Sequence, residues 1–144
     1  MQTVKQFLES KPNRALVYVT PDSTVFQALQ VMAENDIGAV LVMESGDIVG
    51  IFSERDYARR IVLQGRTSAG TKVCDIMTSR VVYVTPLQTL DECRSLMTEK
   101  RIRHLPVMED QTVLGILSIG DLVRATIEEQ EQVINHLVHY IQSA

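Results

Sequence analysis

VYVTPDSTVFQALQVMAENDIGAVLVMESGDIVGIFSERD, residues 17–56, and VYVTPLQTLDECRSLMTEKRIRHLPVMEDQTVLGILSIGD, residues 82–121, are two copies of one stretch. Offset by 65 residues, they align without a gap and agree at 16 of 40 positions, where ordinary composition gives roughly one in fifteen by chance. A repeat of this size dictates the architecture, because a unit too small to bury its own apolar faces must pack against its copy.

Each copy has the same periodicity. A short β-branched run (Leu16–Val19; Val81–Val84) stops at Thr-Pro, since proline has no N–H to donate within a central strand. Val25, Ala28, Leu29 and Met32 then recur at helical spacing, as do Leu90, Cys93, Leu96 and Met97, giving each helix one apolar face. Asp22 or Ser23 is the expected cap of the first helix. Two apolar runs follow, Ala39–Met43 and Ile48–Phe52 around Glu44-Ser45-Gly46-Asp47, and Leu105–Met108 and Val113–Leu117 around Glu109-Asp110-Gln111-Thr112, the pattern of hairpins. A second helix starts at Ser53 and at Ser118. The expected fold is α/β (α+β): two β-α-β-β-α repeats packed about a pseudo-twofold axis, joined through the Gly/Ser-rich Gly65–Gly70. The last helix extends from about Ser118 to about Gln142. Its apolar stripe is longer than one unit can cover, so part of it is expected to meet another subunit.

Composition narrows the function. The chain has 144 residues, 45% hydrophobic and 22% charged, with 14 Lys and Arg against 18 Asp and Glu, a net charge of −4. That is ordinary globular usage with no positive field, so neither nucleic acid nor an anionic membrane is an expected partner. The N-terminus has no apolar h-region, and no run approaches the roughly 18 apolar residues of a membrane span; the expectation is a cytoplasmic protein. Cys74 and Cys93, expected to be small, mostly buried side chains, form no C-x-x-C pair, and with three histidines no zinc spacing can be assembled. Met32, Met43, Met97 and Met108 match between copies and read as core filler. There is no G-x-S-x-G, P-loop or Cys–His arrangement to supply a nucleophile, so no catalysis is expected.

The sharpest local signal is Gly50-Ile51-Phe52-Ser53-Glu54-Arg55-Asp56, repeated as Gly115-Ile116-Leu117-Ser118-Ile119-Gly120-Asp121. Two meanings are open. Ser at N-cap with an acid at N3 is nearly a capping box, contributing about 0.5–2 kcal/mol. Equally, a helix start offers N–H groups to a phosphate while a carboxylate can accept both ribose hydroxyls.

Together the tandem repeat, the two G-h-h-S-x-x-D motifs, Asp75-Ile76-Met77-Thr78 and Arg103-His104-Leu105-Pro106-Val107 resemble a pair of CBS domains, a stand-alone Bateman module. The resemblance implies repeats at 8–66 and 73–127, a linker at 67–72 and a helical extension at 128–144. It further implies regulation through an adenosine-containing ligand (AMP, ADP, ATP, NAD or S-adenosylmethionine), no required cofactor, a homodimer, and a regulated protein partner of unknown identity. The alternative is a ligand-independent interaction module acting through its dimer and C-terminal helix.

Carried over residue by residue, the resemblance implies two clefts. In the first, Asp56 holds the ribose, Ser53 and Arg55 lie near the phosphates and Ile51 packs on the adenine. Thr78, Ser79, Val81 and Val82 contact the base, Ile102 lies beside it, and Arg103 and His104 reach the phosphate. In the second, Ile116, Ser118 and Asp121 repeat these roles, faced by Asn13, Leu16, Ile37, Gly38 and Ala39. Where the first cleft has Arg103, His104 and Arg55, the second has Gly38, Ala39 and Gly120. Because charge-assisted bonds to phosphate are the strong ones, the first is expected to prefer phosphorylated ligand, with Lys11 and Arg14 as partial compensation in the second. Arg59, one turn past Asp56, is within reach of a polyphosphate tail or simply solvated.

Overall fold

A computed structural model of the chain describes residues 2–11 and 15–143. Repeat one contains β1 (Tyr18–Val19), α2 (Val25–Asn35), β2 (Ala39–Glu44), β3 (Asp47–Ser53) and α3 (Glu54–Asp56), which runs into a π-helical turn at Tyr57–Val62; a short α1 (Val4–Glu9) precedes it. Repeat two contains a 3₁₀ turn at Val73–Asp75, α4 (Leu90–Lys100), β4 (His104–Glu109), β5 (Thr112–Ser118) and α5 (Ile119–Ser143). The architecture is mixed α/β: a three-stranded sheet ordered β1-β2-β3, a two-stranded sheet β4-β5, and a long final helix.

The two hairpins are built alike. β2 pairs antiparallel with β3 and β4 with β5, each with a register shift at the same place, Val42/Met43 and Val107/Met108. Their turns have left-handed backbone at Ser45 and Gly46, and at Asp110 and Gln111, the positive-φ pair a two-residue hairpin needs to match strand twist.

The opening strands are shorter than their apolar runs. Only Tyr18–Val19 forms β1, parallel to Leu41–Val42, and its counterpart is a single bridge between Val84 and Val107. Val84 donates to the Pro106 carbonyl and accepts from Met108 N. Pro106 stands where repeat one has Leu41 and has no N–H to donate, so the ladder cannot extend toward Val82. The caps of the first helices also differ from expectation: Thr24 caps α2 and Thr89 caps α4, while Ser23 bonds back to Thr20. Cys93 is buried and its thiol is pushed up to about 11 by that burial, with Glu92 adding to it; Cys74 is exposed, because it lies on the outer side of the 3₁₀ turn.

The cores are completed by exchange. Val73 and Ile76, which lead into repeat two, are buried among Val25, Ala28, Met32, Val40 and Phe52 of repeat one. Val4 and Phe7, at the head of the chain, are buried among Leu90, Met97, Leu105, Leu117 and Leu122 of repeat two. Backbone bonds fix both crossings: Val25 N to Thr71 O and Val73 N to Ser23 O on one side, Leu90 N to Gln2 O and Val4 N to Gln88 O on the other. These matched exchanges express the pseudo-twofold relation between the repeats.

The first crossing ends where Ile51 and Thr78 donate to each other's carbonyls, both at 2.9 Å. Gly50 lies under it: a Cβ there would strike Met77 Sδ and come within 2.8 Å of Met77 Cγ and 3.1 Å of the Thr78 carbonyl. At the equivalent Gly115 no described atom lies within 4 Å. Gly50→Ala is therefore expected to destabilise the protein by about 1–3 kcal/mol by overpacking. Urea unfolding of the variant against wild type checks this; an unchanged midpoint would contradict so tight a crossing.

Candidate functional site

Both Ser-x-x-Asp motifs form capping boxes. Asp56 N donates to Ser53 Oγ at 3.2 Å, while Ser53 N and Oγ donate to Asp56 Oδ2 at 3.0 and 3.1 Å. In repeat two, Asp121 N donates to Ser118 Oγ at 3.1 Å and Ser118 N to Asp121 Oδ2 at 2.9 Å. Each aspartate is nearly buried, 8% exposed for Asp56 and 4% for Asp121. The cap uses one carboxylate oxygen and turns the other outward. Asp56 Oδ1 accepts a long 3.4 Å bond from Thr78 Oγ1 and lies 4.0 Å from Arg60 Nε. Asp121 Oδ1 accepts from Arg124 Nη2 at 2.7 Å.

Asp56 borders a cleft of about 370 Å³ between the repeats. It is lined by Ile51, Ser53, Arg55, Asp56, Thr78, Val81, Val82, Ile102, Arg103 and His104, together with Gly38, Glu54, Arg80, Pro106 and Ile119. Its walls are mainly aliphatic and three guanidinium groups surround it. Arg55 reaches across, its Nη1 donating at 3.0 Å to the carbonyl of Arg101, the left-handed residue that ends α4.

Ser79 is the one residue expected in this cleft that does not line it; it is exposed on the chain leaving the Ile51–Thr78 pair. Gly38, assigned by sequence to the second cleft, lines the first because it meets His104: a Cβ on it would lie 3.6 Å from both His104 Nε2 and Glu54 Oε1. The backbone explains the overlap. Glu54 N donates to Gly38 O and Ile119 N to Arg103 O, equivalent bonds in the two repeats, and all four residues border one cavity. Following that equivalence in the sequence would have found Glu54 and Ile119. Arg80 carried no such signal.

Of the second cleft, Asn13 lies outside the described residues, as does Arg14. Leu16 is exposed, Ile37, Ile116, Ser118 and Gly120 are half-buried, and Ala39 and Asp121 are buried. The sequence comparison left this side without a cation on the helix, but Arg124 supplies one by bonding Asp121 directly. In repeat one the corresponding role falls to Arg60 rather than Arg59: it lies 4.0 Å from Asp56 and donates to the carbonyls of Ile76 and Met77. The one-residue shift accompanies the π-helical turn, which begins immediately after Asp56.

Among the described residues no group of three or more His, Cys, Asp or Glu side chains is placed to hold a metal ion, and no helix is long and apolar enough to cross a membrane. What the cleft offers chemically is a flat aliphatic slot with a carboxylate at one side and guanidinium groups around its mouth. Such an arrangement defines a pair of repeats with a ligand-sized cleft between them.

The comparisons agree with that class. The CBS domain family matches residues 4–63 and 73–128. The mitochondrial CBS domain-containing protein CBSX3 of Arabidopsis thaliana is 40% identical over 148 residues, covering 97% of this chain and 72% of its own length. A structure of a protein with CBS domains from Burkholderia ambifaria is 50% identical, superposes with a TM-score of 0.86, and covers 90% of this chain and 96% of its own. At 21% identity, the CBS domain pair of protein MJ0100, solved with 5′-methylthioadenosine and S-adenosyl-L-methionine, shares the fold with a TM-score of 0.79 over 90% of this chain and 98% of its own. The chain belongs to the CBS domain family and carries two CBS domains.

His104 gives the site a pH signature. Its burial holds the imidazole below the ordinary value of 6.5, and Arg103 adds to the depression while Asp121 opposes it. The unfolded chain thus takes up a proton more readily than the folded one. Stability from this group is complete above about pH 6.5 and is lost as the pH falls below that value toward the lower folded one. The melting midpoint should drop between pH 7.5 and 5.5, and His104→Gln should flatten part of that drop; a slope as steep as wild type would remove His104 as its source.

Proposed function

We propose that this CBS pair is an adenine-nucleotide-binding regulatory module that acts on another protein and carries out no catalysis itself. The observation that carries the reading is a cleft into which both repeats project complementary chemistry. Ile51, Val81, Val82 and Ile102 offer an apolar slot of the kind that takes a purine ring. The outward oxygen of Asp56 can accept from ribose hydroxyls without giving up the helix cap. Arg55, Arg80, Arg103 and His104 can donate to phosphates, where charge-assisted bonds are strongest. At about 370 Å³ the cleft falls within the range of small-molecule sites.

AMP, ADP, ATP and NAD share that recognition chemistry. The ligands of MJ0100 are adenosyl compounds without phosphate, so S-adenosylmethionine and 5′-methylthioadenosine belong among the candidates. The regulated partner is a protein, and the module works as a homodimer; a net charge of −4 and the absence of a basic face in the sequence favour neither nucleic acid nor membrane. A ligand acts in such a module only through its different affinities for two states of the cleft or the assembly. A ligand-independent interaction module is the second reading, favoured by one observation: both Ser–Asp caps are satisfied without any ligand.

Thermal unfolding with AMP, ADP, ATP, NAD and S-adenosylmethionine separates the two. Ligand at a hundredfold over its dissociation constant adds about 2.7 kcal/mol, a rise in midpoint of roughly 5–11 °C for a chain of this size. The rise should disappear in Asp56→Ala and shrink in Arg103→Ala, whose exposed side chain is not part of a cap, while Asp121→Ala keeps it. If no ligand moves the midpoint, and both aspartate variants are simply less stable by a cap's worth, the interaction module is the function.

A further inference from the structure

Helix α5 is two different surfaces in one rod. Its first half packs through Leu122 and Ala125. From Ile127 to Ser143 every residue is exposed, yet that half carries Val133, Ile134, Leu137, Val138, Tyr140 and Ile141, each 45–75% exposed. A free helical segment of this length is marginal in water by itself, so an apolar face this wide calls for a partner.

The pattern says which partner. Ile127, Gln130, Ile134, Leu137 and Ile141 are separated by steps of three, four, three and four, the 3.5-residue period by which a helix packs on another like itself, with Gln130 as the single polar seam position. The exposed apolar side chains together offer on the order of 800 Å², about what each partner contributes to a standard interface. Charge sets the direction. Glu128, Glu129 and Glu131 crowd the inner end, and no Asp, Glu, Lys or Arg follows them. Parallel pairing would stack two acidic ends, whereas antiparallel pairing sets each acidic end beside the Tyr140–Ser143 end of the other helix, which carries no acidic side chain. It also lays the apolar middles together, Ile134 on the partner's Leu137.

We propose that the exposed half of α5 is a self-recognition surface that zips antiparallel onto the same segment of a second copy. This rests on the homodimer part of the functional reading and names the surface that forms it.

Light scattering on the full chain at micromolar concentration is expected to give twice 16.2 kDa, and Ile134→Glu with Leu137→Glu should halve it while far-UV circular dichroism stays helical. In a Cys74→Ser background, Gln130→Cys and Ile141→Cys combined in one chain should oxidise to a covalent dimer, and Ile141→Cys alone should not. A wild-type monomer would overturn the zipper and the homodimer together. A dimer unaffected by the two glutamates would keep the homodimer and overturn the zipper. Covalent dimers from Ile141→Cys alone would overturn the antiparallel direction. The cross-linking arm decides even if the glutamate variant fails to fold.

Discussion

Neither sheet is covered by its own repeat alone, and the segment leading into each repeat closes the core of the other. Val73 and Ile76 fill the first core and Val4 and Phe7 the second, so separating the repeats would expose both cores at once. The crossing also makes the site. By pairing Thr78 with Ile51 at 2.9 Å, it carries the chain of 78–82 across the end of β3, above the Ser53–Asp56 cap. The cleft is the space left between that chain, the cap and the Arg103–His104 end of β4. A molecule held there touches both repeats, and Arg55, bonded to the Arg101 carbonyl, already bridges them.

This constraint also explains what could be read from the amino-acid sequence and what could not. The ungapped 40-residue match contains the hairpins, the first helix of each repeat and both Ser–Asp caps, because those are local patterns with local causes. The exchanged segments lie outside it. They correspond at an offset of 69, Val4 with Val73 and Phe7 with Ile76, because the two lead-ins differ in length; an exchange between repeats also leaves no periodic trace. Pro106 shortened a strand that apolar content alone would have extended. The residues of the first cleft were largely legible because they sit at motif positions, while Arg80 enters through tertiary geometry. Gly38 lines the first cleft because it meets His104 of the other repeat, a contact its sequence position does not reveal.

The capping box is where structural and binding roles of one residue converge. A carboxylate has two oxygens, and the cap needs only one, so Asp56 and Asp121 can hold helix starts and still present an acceptor outward. The pattern Ser-x-x-Asp therefore cannot distinguish a cap from a ribose site, because the two uses do not compete. What differs between the copies is the outward oxygen's company. At Asp56 it has a long bond to Thr78 and a guanidinium 4.0 Å away; at Asp121 it is engaged by Arg124 at 2.7 Å. A hydroxyl arriving at Asp56 displaces a weak contact, whereas one arriving at Asp121 must displace or share a short ion pair.

α5 leads outward from the cleft. Its first residue, Ile119, lines the cleft and is held by the Arg103 carbonyl, its first turn is fixed by the Asp121 box, and its last four turns stand clear of the body. As a helix of 25 residues it is a rod of about 37 Å, anchored only over its first half, so a small rotation at the cleft is magnified at the far end. A ligand that engages Arg103 pulls on the residue whose carbonyl seats the rod. Whether such a pull matters depends on the rod having two seats of similar free energy, since a ligand can only redistribute states that already exist. The Asp121–Arg124 pair lies within the same turn and travels with the rod, whereas the Ile119–Arg103 bond joins the rod to β4. Arg94 also ties the rod to α4 through the Leu122 carbonyl and Thr126 Oγ1, so the part of the seat that the cleft touches directly is the Ile119–Arg103 bond.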